Sequence, residues 1–221
     1  KGCRLKTVCD LDAGTLARHK AALPEIQTTQ NDADVLADPE IQAVVIATPA
    51  PTHFDVASKA IKAGKHVYVE KPMTLATEDA EKLVAAADAA GRILMVGHLL
   101  EYHPCVLKLK EMITSGELGN VYYVYMHRLN LGVVRKDENA WWSLAPHDVS
   151  VVTFLFDAEP TVVTSQGHAY LRQGVEDVVF TQLKFADGRM ANIHVSWLDP
   201  HKMRKITLVG TLGAGSSELS G

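Results

Sequence analysis

The sequence has few of the features that mark specialised classes of protein. Its 221 residues include three cysteines, Cys3, Cys9 and Cys105, and these show no metal-ligand spacing. Such a sparse, odd set of thiols argues against a disulfide scaffold, so we expect reduced thiols in a cytoplasmic protein. The chain has no apolar run long enough to span a bilayer, and its first residues do not form a signal peptide. It also begins without Met, and we expect that residues precede Lys1.

A basic surface is also missing. The formal net charge is −4, which offers no positive field for nucleic acid or for an anionic membrane. His, Asp and Glu show no spacing typical of a metal site. The hydrophobic fraction of 47% and the charged fraction of 22% are those of an ordinary globular protein. These values leave a small molecule as the expected ligand.

Strands and helices alternate through the first hundred residues. Four short apolar runs predict buried strands at 5–9, 43–47, 66–69 and 93–96. Helical patterns lie between them at 13–22, 31–37, 54–63 and 77–90, with Asn31 as a candidate N-cap and Gly64 and Gly91 as stops. This alternation predicts an α/β, Rossmann-like parallel sheet with right-handed crossovers.

The pattern changes after a boundary that we place near residues 98–104, which gives domains of 1–100 and 101–221. A strand pattern at 121–129 is followed by a helix predicted from about Pro146 to Phe156. Further strand patterns follow directly at 161–171, 175–185, 190–197 and 202–209, with a hairpin signal at 186–189. Consecutive strands without helices predict an α+β domain with a mainly antiparallel, open sheet.

Polar residues end each of the four apolar strands of the first domain. These residues are Asp10, Thr48-Pro49, Glu70-Lys71-Pro72 and His98. In an open parallel sheet, ligands bind outside the carboxyl ends of the strands, so the coincidence predicts one wall of a site. Taken singly, each has a simpler explanation: a helix cap, a turn or a solvated surface charge.

Asp10 has a specific role available at this edge. An acidic residue that ends the second strand of a dinucleotide fold accepts hydrogen bonds from the adenosine ribose and repels a 2′-phosphate. No Arg follows Asp10 directly. The pattern therefore favours NAD over NADP.

The glycine fingerprint of such folds is absent from its expected place. A strand, a G-x-G-x-x-G turn and a helix should precede the strand that ends at Asp10, but only nine residues precede Asp10 itself. Gly210, Gly213 and Gly215 follow antiparallel strands and open no evident helix. We therefore expect a Rossmann domain whose first βα unit is missing.

Three runs together resemble the Gfo/Idh/MocA oxidoreductase family, which contains glucose–fructose oxidoreductase, inositol dehydrogenase and rhizopine-catabolism dehydrogenases. The runs are 47–53 (Ala-Thr-Pro…Thr-His), 63–72 (Ala-Gly-Lys-His-Val…Glu-Lys-Pro) and 142–148 (Trp…His-Asp). The resemblance implies a dinucleotide-binding domain followed by a substrate domain. It also implies a homodimer or homotetramer through the open antiparallel sheet. Family members are typically about half again as long, which implies truncation at both ends.

The resemblance carries roles to particular residues of the first domain. Lys71 matches the catalytic lysine, and Glu70 matches a residue near the nicotinamide ribose. Thr48, Pro49 and His53 match the cofactor-side loop. Cofactor contacts are thus implied for Asp10, Thr48, Pro49, His53, Glu70 and Lys71.

In the second domain, His147 matches the histidine that exchanges a proton with the substrate hydroxyl. The family often has Asp four residues earlier, where Ser143 stands, and Arg near the position of Glu101. These departures bear on the substrate more than on the reaction. Weaker substrate candidates are His98, Tyr102 and Trp142.

The resulting hypothesis is an NAD(P)-dependent oxidoreductase acting on a sugar or nucleotide sugar. His147 would be the general base and acid, and Lys71 would stabilise the substrate oxygen, although the two roles could be exchanged. One alternative is a truncated or non-catalytic family member that binds no dinucleotide. Another is a reductase of non-sugar carbonyls or dihydrodiols.

Overall fold

The computed structural model describes residues 2–132, 134–135 and 138–219, and the chain divides into two compact units between Gly97 and His98. The described elements of the first unit follow in chain order. They are β1 (Thr7–Cys9), α1 (Ala13–Ala22), β2 (Gln27–Thr29), α2 (Asp32–Ala37), β3 (Ala43–Ile46), α3 (His53–Lys62), β4 (His66–Val69), α4 (Thr77–Ala90) and β5 (Leu94–Val96). A 3₁₀ turn, Ala50–Thr52, leads into α3.

The first unit contains two parallel sheets, which confirms the predicted Rossmann-like architecture. β1 pairs with β2, and β3, β4 and β5 pair in that order. The turn after α2 connects the two sheets. The Asp38 carboxylate forms an ion pair with Lys6 at 2.6 Å, and the backbone carbonyl of Asp38 accepts a hydrogen bond from Lys65 Nζ, also at 2.6 Å. The hydrogen bond from the Lys6 ammonium lowers the pKa of the Asp38 carboxyl.

Local signals explain where the helices of this unit begin and end. The Asn31 side chain accepts a hydrogen bond from Ala33 N and caps α2, as predicted. Gly91, at φ +60°, ends α4 in the left-handed conformation that glycine adopts at little cost. The helices and β4 enclose a core that includes Ile61, Val67 and Leu83.

The second unit is a helix-covered sheet. Its described elements are α5 (Pro104–Thr114), β6 (Val121–Leu129), α6 (Ala140–Phe156), β7 (Val162–His168), β8 (Val178–Lys184), β9 (Met190–Ser196), β10 (Met203–Gly210) and β11 (Ala214–Glu218). A 3₁₀ turn, Leu99–Tyr102, precedes α5. The strand order is β11-β10-β6-β9-β8-β7, and four of the five pairings are antiparallel. The prediction of a mainly antiparallel sheet is confirmed, with β6–β9 as its parallel exception.

The helix α6 begins earlier than predicted. The sequence places its start near Pro146, but the structure starts it at Ala140 and holds Pro146 inside it. The Asn139 side chain accepts from Trp142 N, and this cap sets the true start. His147 therefore lies in the middle of a helix.

One face of this sheet is covered and the other is open. Val124 and Met126 of β6 are buried in the core with residues of α6. Because side chains alternate along a strand, the residues between them point to the opposite face. That face carries a row of rings, which we call the aromatic strip: Tyr123, Tyr125, His127, His194 and Phe180.

Ring contacts connect the members of the aromatic strip. Phe180 stacks on His194 with centroids 4.1 Å apart, and His194 meets His127 edge-on at 5.8 Å. Partial burial lowers the pKa of His194, and the charge of His127 acts in the same direction.

Among the described residues, no helix combines the length and apolar character needed to cross a bilayer.

Candidate functional site

The carboxyl ends of β3 and β4 bring two predicted segments side by side. Ile46 and Val69 are paired in the sheet, and Glu70 N donates to Ile46 O at 2.9 Å. Thr48-Pro49 and Glu70-Lys71 follow at the same edge. Thr48 and Pro49 are exposed, whereas Glu70 and Lys71 are half-buried. The Lys71–Pro72 peptide bond is cis.

The buried ring of His53, at the start of α3, contacts backbone carbonyls in both segments. Its ring is 1% exposed, with Nδ1 2.7 Å from Pro72 O and Nε2 2.8 Å from Thr48 O. The Thr52 hydroxyl donates to Pro49 O at 2.8 Å and lies 2.7 Å from Thr48 Oγ1, whose own hydroxyl can donate to it. The structure thus places the predicted cofactor-side residue His53 against backbone, not facing an open edge.

Asp10 follows β1 and organises the turn into α1. Its backbone N–H donates to Thr29 O, and Oδ1 accepts from Asp12 N at 2.8 Å. The cap of α1 is Asp12, whose pKa is lowered by the hydrogen bonds from Thr15. Asp10 is therefore not the helix cap, and its second carboxylate oxygen makes no hydrogen bond to the described residues.

A group that sequence reasoning missed lies beside Glu70. A Cβ atom added at Gly97, which follows β5, would come within 2.8 Å of Tyr68 Oη and 3.0 Å of Glu70 Oε2. Tyr68 in β4 and Glu70 directly after it point the same way because they are two residues apart, and this spacing is the signal that could have identified Tyr68. Both oxygens therefore converge on the end of β5, where any side chain larger than that of glycine would require Tyr68 or Glu70 to move.

In the second unit, His147 stands next to a buried ion pair. Asp148 is 1% exposed, and its two oxygens accept from Arg128 Nε at 2.9 Å and Nη2 at 2.8 Å. Burial raises the pKa of the Asp148 carboxyl, and the Arg128 guanidinium opposes that shift. The pair fastens α6 to β6 at the position of His147. Sequence reasoning missed it, although Arg128 shares the strand parity of the buried Val124 and Met126.

The weaker substrate candidates occupy exposed or intermediate positions. Trp142, on the first turns of α6, is 50% exposed, and Tyr102 is 63% exposed. The 3₁₀ turn that ends at Tyr102 packs on α6, and His98 precedes that turn. Ser143, which stands where the resembling family has Asp, is buried. Two aromatic rings are thus free to contact a ligand, which a core role would have prevented.

Two models of protein families together match nearly the whole chain. Residues 3–98 match the model described as oxidoreductase family, NAD-binding Rossmann fold. Residues 106–215 match the GFO/IDH/MocA C-terminal domain.

Individual proteins agree with these matches. Scyllo-inositol 2-dehydrogenase (NAD(+)) of Bacillus subtilis strain 168 is 28% identical over 96% of the chain, which spans 66% of that protein. The crystal structure of GenD2 from gentamicin A biosynthesis, in complex with NAD, superposes with a TM-score of 0.90 at 28% identity, covering 98% of this chain and 65% of that one. The crystal structure of the WlbA dehydrogenase from Bordetella pertussis, in complex with NADH and UDP-GlcNAcA, superposes with a TM-score of 0.85 at 26% identity. The match covers 97% of this chain and 66% of that one.

Proposed function

Because the chain belongs to the GFO/IDH/MocA oxidoreductase family, we propose that it transfers hydride between NAD and a secondary alcohol or carbonyl of a sugar or nucleotide sugar. The observation that carries this proposal is the position of Lys71. It follows β4 at the carboxyl edge of a parallel sheet, beside the exposed Thr48-Pro49 segment.

The residues supply what alcohol oxidation needs besides a hydride acceptor, which is the chemistry that NAD provides when bound. The hydroxyl proton must leave as the hydride departs. His147 takes that proton as general base, because imidazole titrates near neutral pH. Lys71 donates a hydrogen bond to the same oxygen and stabilises its developing negative charge.

Residues of the first unit support the binding of both ends of a dinucleotide. At the end of β1, Asp10 offers a carboxylate oxygen that has no hydrogen bond to the described residues, suited to ribose hydroxyls and unsuited to a 2′-phosphate. Thr48, Pro49, Glu70 and Lys71 line the edge where β3 and β4 end. This chemistry supports NAD over NADP.

Titration of NADH into the chain, followed by nicotinamide fluorescence, tests the cofactor assignment. We expect micromolar binding, weaker binding of NADPH, and a loss of NADH affinity of about ten- to a hundredfold in Asp10→Asn, because a hydrogen bond to a charged acceptor is weakened. Asp88→Asn, on the exposed side of α4, is the matched control and should bind normally.

A chain that binds neither nucleotide would refute the assignment. It would favour the alternative of a non-catalytic protein on the same fold.

The substrate class rests on the exposed rings and on the related proteins. Trp142 and Tyr102 offer apolar faces on which a sugar ring can stack. The names of the similar proteins include an inositol dehydrogenase and a dehydrogenase bound to UDP-GlcNAcA. A panel of inositols, free sugars, UDP-sugars and non-sugar carbonyls identifies the class, and turnover confined to the last group would contradict the proposal.

Self-association through the aromatic strip, as a homodimer or homotetramer, is part of the same proposal. Phe180 is 54% exposed at one end of the strip, and an exposed apolar sheet face gains stability when covered.

The cysteines are free thiols, which supports a reducing, cytoplasmic location.

Charge placed on the strip should break this association. We expect Phe180→Lys to shift the chain from dimer or tetramer to monomer in analytical ultracentrifugation. Tyr170→Lys, at a residue that is 67% exposed in the loop after β7, should leave the oligomer intact. A monomeric wild type, or an unchanged oligomer in Phe180→Lys, would contradict the assignment of this face.

A further inference from the structure

The environment of the His53 ring imposes a condition on its protonation. Both ring nitrogens lie within hydrogen-bond distance of carbonyl oxygens, Pro72 O at 2.7 Å and Thr48 O at 2.8 Å. A carbonyl only accepts, so each contact needs an N–H donor on the ring. A neutral imidazole has one N–H, and the second contact would then set two lone pairs against each other.

Both contacts are satisfied together only by the doubly protonated ring. We propose that His53 is a positively charged clamp that fixes the loop carrying Lys71 against the loop carrying Thr48 and Pro49. In this role His53 is a positioning residue and contacts neither substrate nor cofactor. The role rests on the proposed function, since Lys71 needs positioning only if it takes part in the reaction.

Burial makes a positive charge on the His53 ring energetically costly. The ring is 1% exposed, and an unpaired buried charge is strongly unfavourable. Two short, charge-assisted hydrogen bonds compensate, and such bonds are about twice as strong as neutral ones. The charged side chains on the elements that the clamp joins are Asp55, Lys59 and Lys62 on α3 and Glu70 and Lys71 after β4.

The geometry explains why a histidine stands here. The acceptors belong to the loops that follow two different strands: Thr48 lies two residues after β3, and Pro72 lies three residues after β4. A flat ring with nitrogens on opposite sides bridges them from the first turn of α3. The bridge therefore sets the separation of the two segments that line the candidate cofactor edge.

Nitrogen-15 spectra of histidine-labelled chain at neutral pH test the charge state without substrate or nucleotide. We expect one-bond N–H couplings on both ring nitrogens of His53, identified by the signals lost in His53→Gln. A single protonated ring nitrogen would overturn the clamp as a cation. Because this readout needs no activity, it is independent of whether the proposed oxidoreductase function holds.

The positioning role is tested on the same apo chain through the Lys71 Nζ resonance. We expect it to shift in His53→Phe, which removes both donors, and to shift less in His53→Gln, which keeps one donor group. His66→Gln is the matched control, because His66 Nδ1 accepts from Ile93 N at 2.9 Å at the opposite end of β4. An unmoved Lys71 resonance in folded His53→Gln, or an equal shift in His66→Gln, would refute positioning. If His53→Phe does not fold, His53→Gln decides.

Discussion

Replacing Lys71 with Met is expected to lower kcat for NAD-dependent alcohol oxidation by about 10²–10³-fold, the loss usual for one donor to a developing oxyanion. His147→Asn should lower kcat by about 10²–10⁴-fold, because it removes the proton acceptor. Stopped-flow measurement of NADH formation gives both rates.

Two exposed residues provide controls for chemistry and for charge. Lys62→Met, on α3, and His201→Asn, whose side chain is 84% exposed, should retain the wild-type rate. The pH profile then assigns the roles: a limb that disappears in His147→Asn makes His147 the base, and one that disappears only in Lys71→Met exchanges the roles. Near-normal rates in both catalytic variants would remove both residues from the mechanism.

Removal of one partner from the buried Arg128–Asp148 pair is the second large effect. We expect Arg128→Met to lower the free energy of unfolding by about 3–5 kcal/mol, since it leaves the Asp148 carboxylate without its partner inside the core. Urea denaturation followed by circular dichroism measures this loss.

A double replacement separates the pair's own contribution from the penalty of orphaning a charge. Arg128→Met with Asp148→Leu should recover much of the lost stability, because apolar residues of similar volume satisfy the site. Lys108→Met, which breaks the exposed Lys108–Glu111 pair, should change stability by less than about 1 kcal/mol. A loss in Arg128→Met no larger than in Lys108→Met would show that the interior pair is not desolvated as described.

The parallel architecture of the first unit could be predicted because its strands carry their own signals. Ala43–Ile46 and His66–Val69 are apolar runs that end at polar residues, and Asn31 and Gly91 cap helices by local chemistry. β2 was missed since Gln27–Thr29 is polar and short. It is a strand only because β1 supplies its hydrogen bonds.

The second unit shows a similar limit. β11, Ala214–Glu218, consists of small and polar residues and forms through its pairing with β10. Because a proline is common in the first turn of a helix, the sequence predicts a start near Pro146, whereas the Asn139 cap lies seven residues earlier.

The sequence predicts which site residues follow the ends of strands, but it does not predict which side chains contact each other. Thr48 and Lys71 follow neighbouring strands, and sheet geometry alone places them at one edge, whereas Asp10 follows a strand of the other sheet of that unit. The orientation of the His53 ring and the Arg128–Asp148 pair depend on partners 19 and 20 residues away in sequence. No local pattern encodes such contacts, because tertiary packing determines which polar group meets which.

The single parallel pairing in the six-stranded sheet of the second unit has a consequence for how that unit assembles. It joins two antiparallel ribbons, β7-β8-β9 and β6-β10-β11. The first ribbon consists of neighbours in sequence, so its hairpins close over short loops. The second must wait, because β6 meets β10 only after α6 and three further strands have been made. Loop closure over such distances slows folding. During synthesis, β6 therefore emerges long before its two partners, and α6 is in place to shield its apolar side in that interval.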